Sequence, residues 1–277
     1  MKRQYIFLLP LLIFLFLSCD IAPTADFCVS IPPQAYLLKR IAGEDIRVSI
    51  MIPPGSAPPT YSPTPAQIRD LQHCRLYIKN GHPDFYFEKK HIDPFLEKHP
   101  GIRTISMADS LDIIPGDAHI WLSLRIMRVA AERIYRELKE IWPERSTLLQ
   151  TNYQDLIRDI DSLDRELRGV FSNHQGAEFL TMHPSWTYFA RDYGIKQVSI
   201  REENKAPSAR QFAALIDHAK ASGIRIIFIQ KEFAFEQTDV LAREIDAQVV
   251  ALDPLSESWL TNLRLTGLIF SRVFHDS

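Results

Sequence analysis

Short apolar runs alternate with amphipathic stretches along most of this chain. Eight runs have the length of buried strands, and several stretches between them carry apolar residues at helical spacing. The runs lack strict alternation of apolar and polar residues, which is typical of parallel strands covered by helices on both faces. The pattern therefore indicates an α/β fold with parallel sheets. The predicted strands are 27–31, 46–52, 75–78, 102–105, 178–182, 197–200, 224–229 and 248–252, and the clearest helices are 34–42, 65–71, 208–221 and 236–245.

The middle of the chain departs from this alternation. Between residues 149 and 170, apolar side chains recur at spacings of three and four residues, with charged and polar residues between them. This spacing predicts one amphipathic helix over 146–171, about 39 Å long at 1.5 Å per residue. The seam of a coiled-coil dimer would show the same spacing. Strand–helix units on both sides favour a single chain with two lobes, each a mostly parallel sheet flanked by helices, joined by one long rigid linker helix.

The first residues have the pattern of an export signal. Lys2 and Arg3 precede a largely apolar stretch over 5–17, which is too short to span a bilayer. The stretch ends in Leu15-Phe16-Leu17-Ser18-Cys19, which resembles a bacterial lipobox with Cys19 as the lipidated residue. An ordinary cleaved secretory signal is the alternative, and in either case we expect an extracytoplasmic protein. The chain then divides into a signal peptide, an N-terminal lobe, a linker helix and a C-terminal lobe at residues 1–19, 20–145, 146–172 and 173–277.

Charge and cysteine content narrow the class of protein. Once Lys2 and Arg3 are removed with the signal, 30 basic and 34 acidic side chains leave a net charge of −4. A chain this acidic is not expected to bind nucleic acid. No second apolar run is long enough to cross a membrane, so we expect membrane attachment by the lipid anchor alone. Cys28 and Cys74 could pair in an exported protein, but their strand-like surroundings favour two small buried core residues.

Four metal-competent side chains follow predicted strands or turns. His82, His183 and Asp253 each come shortly after an apolar run, and His119 follows a turn and opens a predicted helix. Ligands collect at the carboxyl ends of parallel strands in α/β proteins, so the four side chains predict one divalent-cation site. Three imidazoles and one carboxylate form a nitrogen-rich tetrahedral set that suits Zn²⁺. Mn²⁺ remains the alternative, although it prefers more oxygen ligands.

Other residues near these positions have plainer interpretations as well. Trp121 and Trp186 lie just past His119 and His183, and are either core aromatics or the apolar wall that keeps water from the site. The chain has neither a His-Glu-x-x-His nor a Gly-x-Ser-x-Gly motif, so we expect a binding protein rather than a metallohydrolase. Three other carboxylates also follow predicted strands and are alternative metal ligands: Glu202, Glu203 and Glu232.

Five short motifs lie in order along the chain: MIPPGSAPPTYSPTP (51–65), DAHIWLS (117–123), HPSWTYFARDYG (183–194), PSARQ (207–211) and LDPL (252–255). Together they resemble the zinc and manganese ABC-transporter solute-binding proteins, the cluster A-I or ZnuA-like family. The resemblance implies two α/β lobes and a metal held between them, with His119, His183 and Asp253 on ligand positions. It also implies a monomer that delivers Zn²⁺, or Mn²⁺, to an ABC permease in the cytoplasmic membrane. A metal-binding surface adhesin or sensor lipoprotein of the same fold is the alternative.

The departure from the family pattern is at the first ligand. Pro59 stands where the pattern has a histidine, and proline has no side-chain donor atom. We expect His82 to replace that ligand, because the loop 53–65 and the turn at His82 each follow a strand of the same lobe. Asn80 and Gly81 form a tight turn that can aim His82 inward. We also expect the stiff linker helix to limit the movement of the lobes on metal release.

Overall fold

The computed structural model describes residues 25–200, 208–230 and 236–275, and all structural statements concern these ranges. They contain two four-stranded parallel sheets. All eight predicted strands are present, with bounds that differ by at most two residues. The strands are β1 (Phe27–Val29), β2 (Val48–Ile50), β3 (Leu76–Lys79), β4 (Thr104–Ser106), β5 (Glu178–Thr181), β6 (Lys196–Ser199), β7 (Ile226–Ile229) and β8 (Gln248–Ala251). Their order is β2-β1-β3-β4 in the first sheet and β6-β5-β7-β8 in the second.

Capping side chains and a glycine mark the ends of helices between the strands. Thr64 and Ser208 each close a capping box with a glutamine three residues later, which satisfies otherwise unpaired N–H groups. Gly223 has φ +63° just past one helix end, a conformation that favours glycine. The helices are α1 (Pro32–Ala42), α2 (Pro65–His73), α3 (Asp93–Lys98), α4 (Leu124–Ile141), α5 (Ser146–Phe171), α6 (Thr187–Tyr193), α7 (Ala209–Ala221), α8 (Glu236–Ile245) and α9 (Trp259–His275), with a π-helical turn at Glu88–Ile92 and 3-10 turns at Ile120–Leu122 and Pro143–Arg145.

Helix α5 has the predicted bounds and lies between the two sheets in sequence and in space. It packs against α1 and α4 on one side and against α6 and α9 on the other. Its apolar stripe is buried within the single chain, so the spacing encodes an internal spine rather than a dimer seam. The expected fold class of two lobes joined by a long helix is confirmed, while the residue-level division into lobes stays a prediction.

The lobes share a hydrophobic core. One continuous cluster of buried side chains extends from Phe27 in β1, across α5, to Phe179 in β5 and Val273 in α9. A smaller cluster lies between the second sheet and helices α7 and α8. None of the described helices combines the length and the apolar content that a membrane span needs. The shared core means that opening the lobes would expose apolar surface, which costs free energy in water.

The two cysteines are core residues. Cys28 and Cys74 are both buried and carry free thiols. A hydrogen bond with Cys74, together with burial, raises the pKa of the Cys28 thiol. The prediction of two small buried residues rather than a disulfide is confirmed for the described structure.

A buried carboxylate fixes the turn that follows β3. The backbone N–H groups of Asn80 and Gly81 donate to Glu88 Oε1 and Oε2 at 2.6 and 2.8 Å, and Ser30 Oγ donates to Oε1. Gly81 has φ +78°, and a Cβ there would lie 1.8 Å from Ser106 Oγ, so only glycine fits. Burial raises the pKa of Glu88 to about 7, although the hydrogen bonds from Ser30 and the turn oppose this shift.

Glu88 should make the stability of the metal-free protein depend on pH. Its pKa is about 7 in the folded protein against 4.5 as the ordinary value, so ionising Glu88 disfavours folding. The cost is absent below about pH 4.5 and complete above about pH 7, where it amounts to about 3 kcal/mol. Glu88→Gln removes this titration. When the pH is lowered from 7.5 to 4.5, the free energy of unfolding of the wild type should therefore rise by about 3 kcal/mol relative to that of the variant. Urea denaturation at the two pH values measures this change.

Glu97→Gln provides the matched control, because Glu97 is exposed on the neighbouring helix α3. Its pH profile should run parallel to that of the wild type. Parallel profiles for Glu88→Gln as well would show that the buried carboxyl titrates at its ordinary value.

Candidate metal centre

His119 is oriented by a neighbouring carboxylate. Its Nδ1 lies 2.6 Å from Asp117 Oδ1, and the same oxygen accepts the His119 backbone N–H at 2.9 Å. Burial alone would raise the pKa of Asp117, but the hydrogen bonds and charge of His119 outweigh it and lower the pKa. An ionised carboxylate only accepts hydrogen bonds, so Nδ1 carries a proton, and in the neutral imidazole Nε2 has the lone pair. Carboxylate–imidazole pairs of this kind orient metal-ligating histidines.

His183 brings a second imidazole to the same place from the other lobe. It lies two residues beyond β5, and its ring centroid is 5.2 Å from that of His119, at an interplanar angle of 71°. Two imidazoles on one tetrahedral Zn²⁺, with Zn–N distances of about 2.0–2.1 Å, would place their ring centroids about 5 Å apart. The separation of these two rings therefore fits joint ligation of one metal ion between the lobes.

Asp253 follows β8 and is exposed. Its Oδ1 accepts the Leu255 N–H at 2.8 Å, and its backbone oxygen accepts Asn262 Nδ2 at 2.9 Å. A carboxylate has two oxygens and about four lone-pair positions, so the bond to Leu255 is compatible with metal binding. Over the described ranges, however, no three His, Cys, Asp or Glu side chains converge on one point that could hold a metal ion. The structure brings His119 and His183 together, and it does not assemble the predicted set of four.

His82 points inward, as its turn predicts, but into its own lobe. Its side chain is buried; Nε2 lies 3.1 Å from the Ile114 carbonyl oxygen, and Nδ1 accepts the Asp84 N–H at 3.0 Å. Because Nδ1 accepts, Nε2 must carry the ring proton. In this arrangement neither nitrogen offers a lone pair to a metal. Ligation by His82 stays a prediction, and it requires the ring to leave both partners.

The turn that carries His82 holds the segment that leads to His119. Three hydrogen bonds join the turn at 80–84 to the segment 114–118, one at each end of the segment and one in its middle. Because backbone groups of the segment are used each time, its path is fixed relative to β3. The three bonds are Asn80 Nδ2 to Ala118 O at 3.1 Å, His82 Nε2 to Ile114 O at 3.1 Å, and Gly116 N to Asp84 Oδ2 at 2.9 Å.

The proline-rich loop 53–65 has no metal ligand at position 59, where the family pattern has a histidine. Pro59 is exposed at the surface of the loop. Tyr61 packs on Phe87, with 6.2 Å between ring centroids, and its hydroxyl donates to Gln67 Oε1 at 3.0 Å. Gln67 Nε2 in turn donates to the Ile50 carbonyl at 2.8 Å. The loop is thus anchored to α2 and to the end of β2.

The two tryptophans that follow His119 and His183 have different surroundings. Trp186 belongs to the core of the C-terminal lobe, whereas Trp121 is buried and also packs against the His119 ring, 5.1 Å between centroids. Asp117 was not predicted as a functional residue, although the Asp-x-His spacing could have indicated it. The candidates that lie outside the described residues are Cys19, Glu202, Glu203 and Glu232.

Two parallel-sheet lobes on a shared helical spine, with one histidine from each meeting between them, define a two-lobed binding protein for a metal ion. The chain belongs to the family described as zinc-uptake complex component A, periplasmic, whose model matches residues 28–265. This family is a solute-binding component of transport, and its members act outside the cytoplasm. The predicted family and location are thereby confirmed.

Individual relatives agree with this assignment. The high-affinity zinc uptake system protein ZnuA of Bacillus subtilis is 26% identical over 245 residues, covering 80% of this chain and 76% of that protein. The zinc-binding lipoprotein AdcA of Streptococcus pneumoniae is 24% identical over 281 residues, 92% of this chain and 56% of that protein. A crystal structure of ZnuA superposes with a TM-score of 0.81 at 31% identity, covering 90% of this chain and 98% of that chain.

Removing the carboxylate beside His119 should weaken metal binding. Asp117→Asn keeps the size of the side chain but loses the charge that fixes the imidazole, so we expect zinc affinity to fall about 10–100-fold. Competition with a chromogenic chelator at pH 7.5 measures this. Asp109→Asn, an exposed carboxylate in the same connection, should bind zinc as the wild type does. Equal affinity in the two variants would remove Asp117 from the site.

Proposed function

We propose that this protein captures Zn²⁺ outside the cytoplasm, holds it between the lobes and delivers it to an ABC permease in the cytoplasmic membrane. The observation that carries the proposal is the contact of His119 and His183, one from each lobe, at a separation that suits a shared zinc ion. Family membership and the zinc-related names of the relatives support the same cargo. The protein acts as a monomer that binds and releases its ion unchanged, without catalysis.

His119 and His183 are the principal ligands, and Asp253 supplies the carboxylate. His82 is the fourth ligand if its ring turns away from Ile114 and Asp84, which a strongly bound cation could drive. A set rich in imidazole favours Zn²⁺ over Mn²⁺, and the general affinity order of divalent metals has the same direction. Mn²⁺ is the alternative cargo, for which additional oxygen ligands would be needed.

Substitution of the ligands tests this proposal. In the mature protein, His119→Ala and His183→Ala should each weaken zinc binding about 100-fold or more, because a four-ligand site derives about 10–16 kcal/mol from all its ligands together. Isothermal titration with chelator competition measures the affinities. His73→Ala is the control, since His73 is exposed and its ring bonds to the carbonyl of Arg69 in its own helix. Wild-type affinity in both His119→Ala and His183→Ala would refute the proposed site.

The same assay distinguishes a ligand role of His82 from a purely structural one. If His82 is a ligand, His82→Ala and His82→Gln should both lose affinity to the extent that His119→Ala does. If His82 only supports the chain, glutamine can still donate to the Ile114 carbonyl, and His82→Gln should bind zinc nearly as the wild type does.

The mature protein is held at the membrane by lipid on Cys19. The lipobox-like sequence Leu15-Phe16-Leu17-Ser18-Cys19 supports this anchor, and the AdcA relative is named a lipoprotein. Cys19→Ser should abolish labelling by radioactive palmitate in cells and release the protein from the membrane fraction. Ser18→Ala, which keeps a small residue before the cysteine, should be labelled normally. Membrane retention of unlabelled Cys19→Ser protein would instead indicate that an uncleaved signal, and not lipid on Cys19, holds the protein at the membrane.

An adhesin or metal sensor of the same fold would share this metal site. Growth of a deletion strain in zinc-depleted medium distinguishes the roles, because only loss of an uptake component limits growth there. Within residues 25–200, 208–230 and 236–275, the geometry contains no observation that favours the adhesin or a metallohydrolase over uptake.

A further inference from the structure

Two buried tryptophans form hydrogen bonds across the junction of the lobes. The Trp121 indole Nε1–H donates to the Pro254 carbonyl oxygen at 2.7 Å, and the Trp259 Nε1–H donates to the Trp121 carbonyl oxygen at 2.7 Å. Both side chains are 1% exposed. Each indole uses its only donor, and each carbonyl lies where water cannot replace that donor.

These bonds end on the two segments that carry metal-competent residues. Trp121 lies in the 3-10 turn that begins directly after His119, and the rings of Trp121 and His119 are in contact. Pro254 is the residue after Asp253. The Trp121 side chain therefore links the turn of His119 to the loop of Asp253 across the interlobe junction.

Helix α9 provides the second half of this junction. Trp259 is its first residue, and Asn262, one turn later, donates to the Asp253 backbone oxygen at 2.9 Å. The same helix packs against α1 and α5, and the Trp259 ring lies 5.9 Å from that of Tyr36 in α1. The loop of Asp253 and the turn of His119 are thus both tied to one helix, which is itself seated on the spine.

We infer that Trp121 and Trp259 are positioning residues for the proposed zinc site: they fix the Asp253 loop relative to His119 before the metal binds. This inference rests on the proposed function. The segments that carry the ligands of the two lobes then keep a fixed relation, and filling or emptying the site requires side-chain movement rather than wide separation of the lobes. A buried carbonyl that loses its donor costs free energy in the metal-free state, so either substitution loosens the junction.

Trp259→Phe and Trp121→Phe test this inference, because they keep an aromatic ring and remove only the N–H donor and part of the ring. The probe is Zn²⁺, with affinity measured by chelator competition and the dissociation rate by stopped-flow trapping. We expect each variant to bind zinc about tenfold more weakly and to release it faster, as loss of one buried hydrogen bond predicts. The visible absorption of the Co²⁺-loaded variants should also change, since their ligand geometry is less constrained.

Trp142→Phe is the matched control, because Trp142 packs on Phe27 at 5.0 Å in the N-terminal lobe, away from the lobe junction. It should lower thermal stability without changing zinc affinity, release or the Co²⁺ spectrum. If Trp259→Phe and Trp121→Phe match Trp142→Phe in all three, the inference is overturned. His119→Ala in the same assays separates the outcomes: if it also retains zinc, the proposed function fails, and if it alone loses zinc, only the positioning role fails.

Discussion

The apolar stripe of α5 packs against helices of both lobes, and the position of every candidate metal-binding residue depends on that packing. Helices α1 and α4 set the N-terminal sheet on one side of the stripe, and α6 and α9 set the C-terminal sheet on the other. Since the core is continuous across the helix, the carboxyl ends of the two sheets have a fixed relation. His119 and His183 can meet because neither lobe is free to turn independently of the spine.

Around the contact of His119 with His183, hydrogen bonds to the backbone fix segments whose positions would vary if side-chain packing alone held them. The turn after β3 fixes the path toward His119, and a buried glutamate fixes the turn. Across the junction, indole donors join the two segments that carry His119 and Asp253. The site is therefore supported by largely buried hydrogen bonds, which salt screens far less than it screens exposed ion pairs.

Sequence reasoning succeeded where a local pattern determines the outcome. The eight strands and the bounds of α5 follow from hydrophobic periodicity, and the positive φ of Gly81 follows from its place in a turn. The contact of His119 with His183 was also predictable, because His183 closely follows a strand and the resemblance to the family implies that both are ligands. The environment of His82 was not, because its ring bonds to the carbonyl of Ile114, which lies far along the chain and reaches His82 only through tertiary packing. The same holds for the Trp121 bond to Pro254, which joins two lobes and has no local signature.

The hydrogen bonds between the turn at 80–84 and the segment at 114–118 divide the long connection after β4 into two parts. Downstream of Ile114 the backbone is tied at each end, so its length is set. Upstream, residues 109–112 lie outside that attachment, and Asp109, Ser110 and Asp112 are exposed. Extra residues inserted there would loop outward without displacing His119, and the entropy of a longer loop grows only slowly, by about 0.6 kcal/mol per doubling of its length. This protein can thus accept additional residues at one point of its surface while the path of the chain to His119 stays fixed.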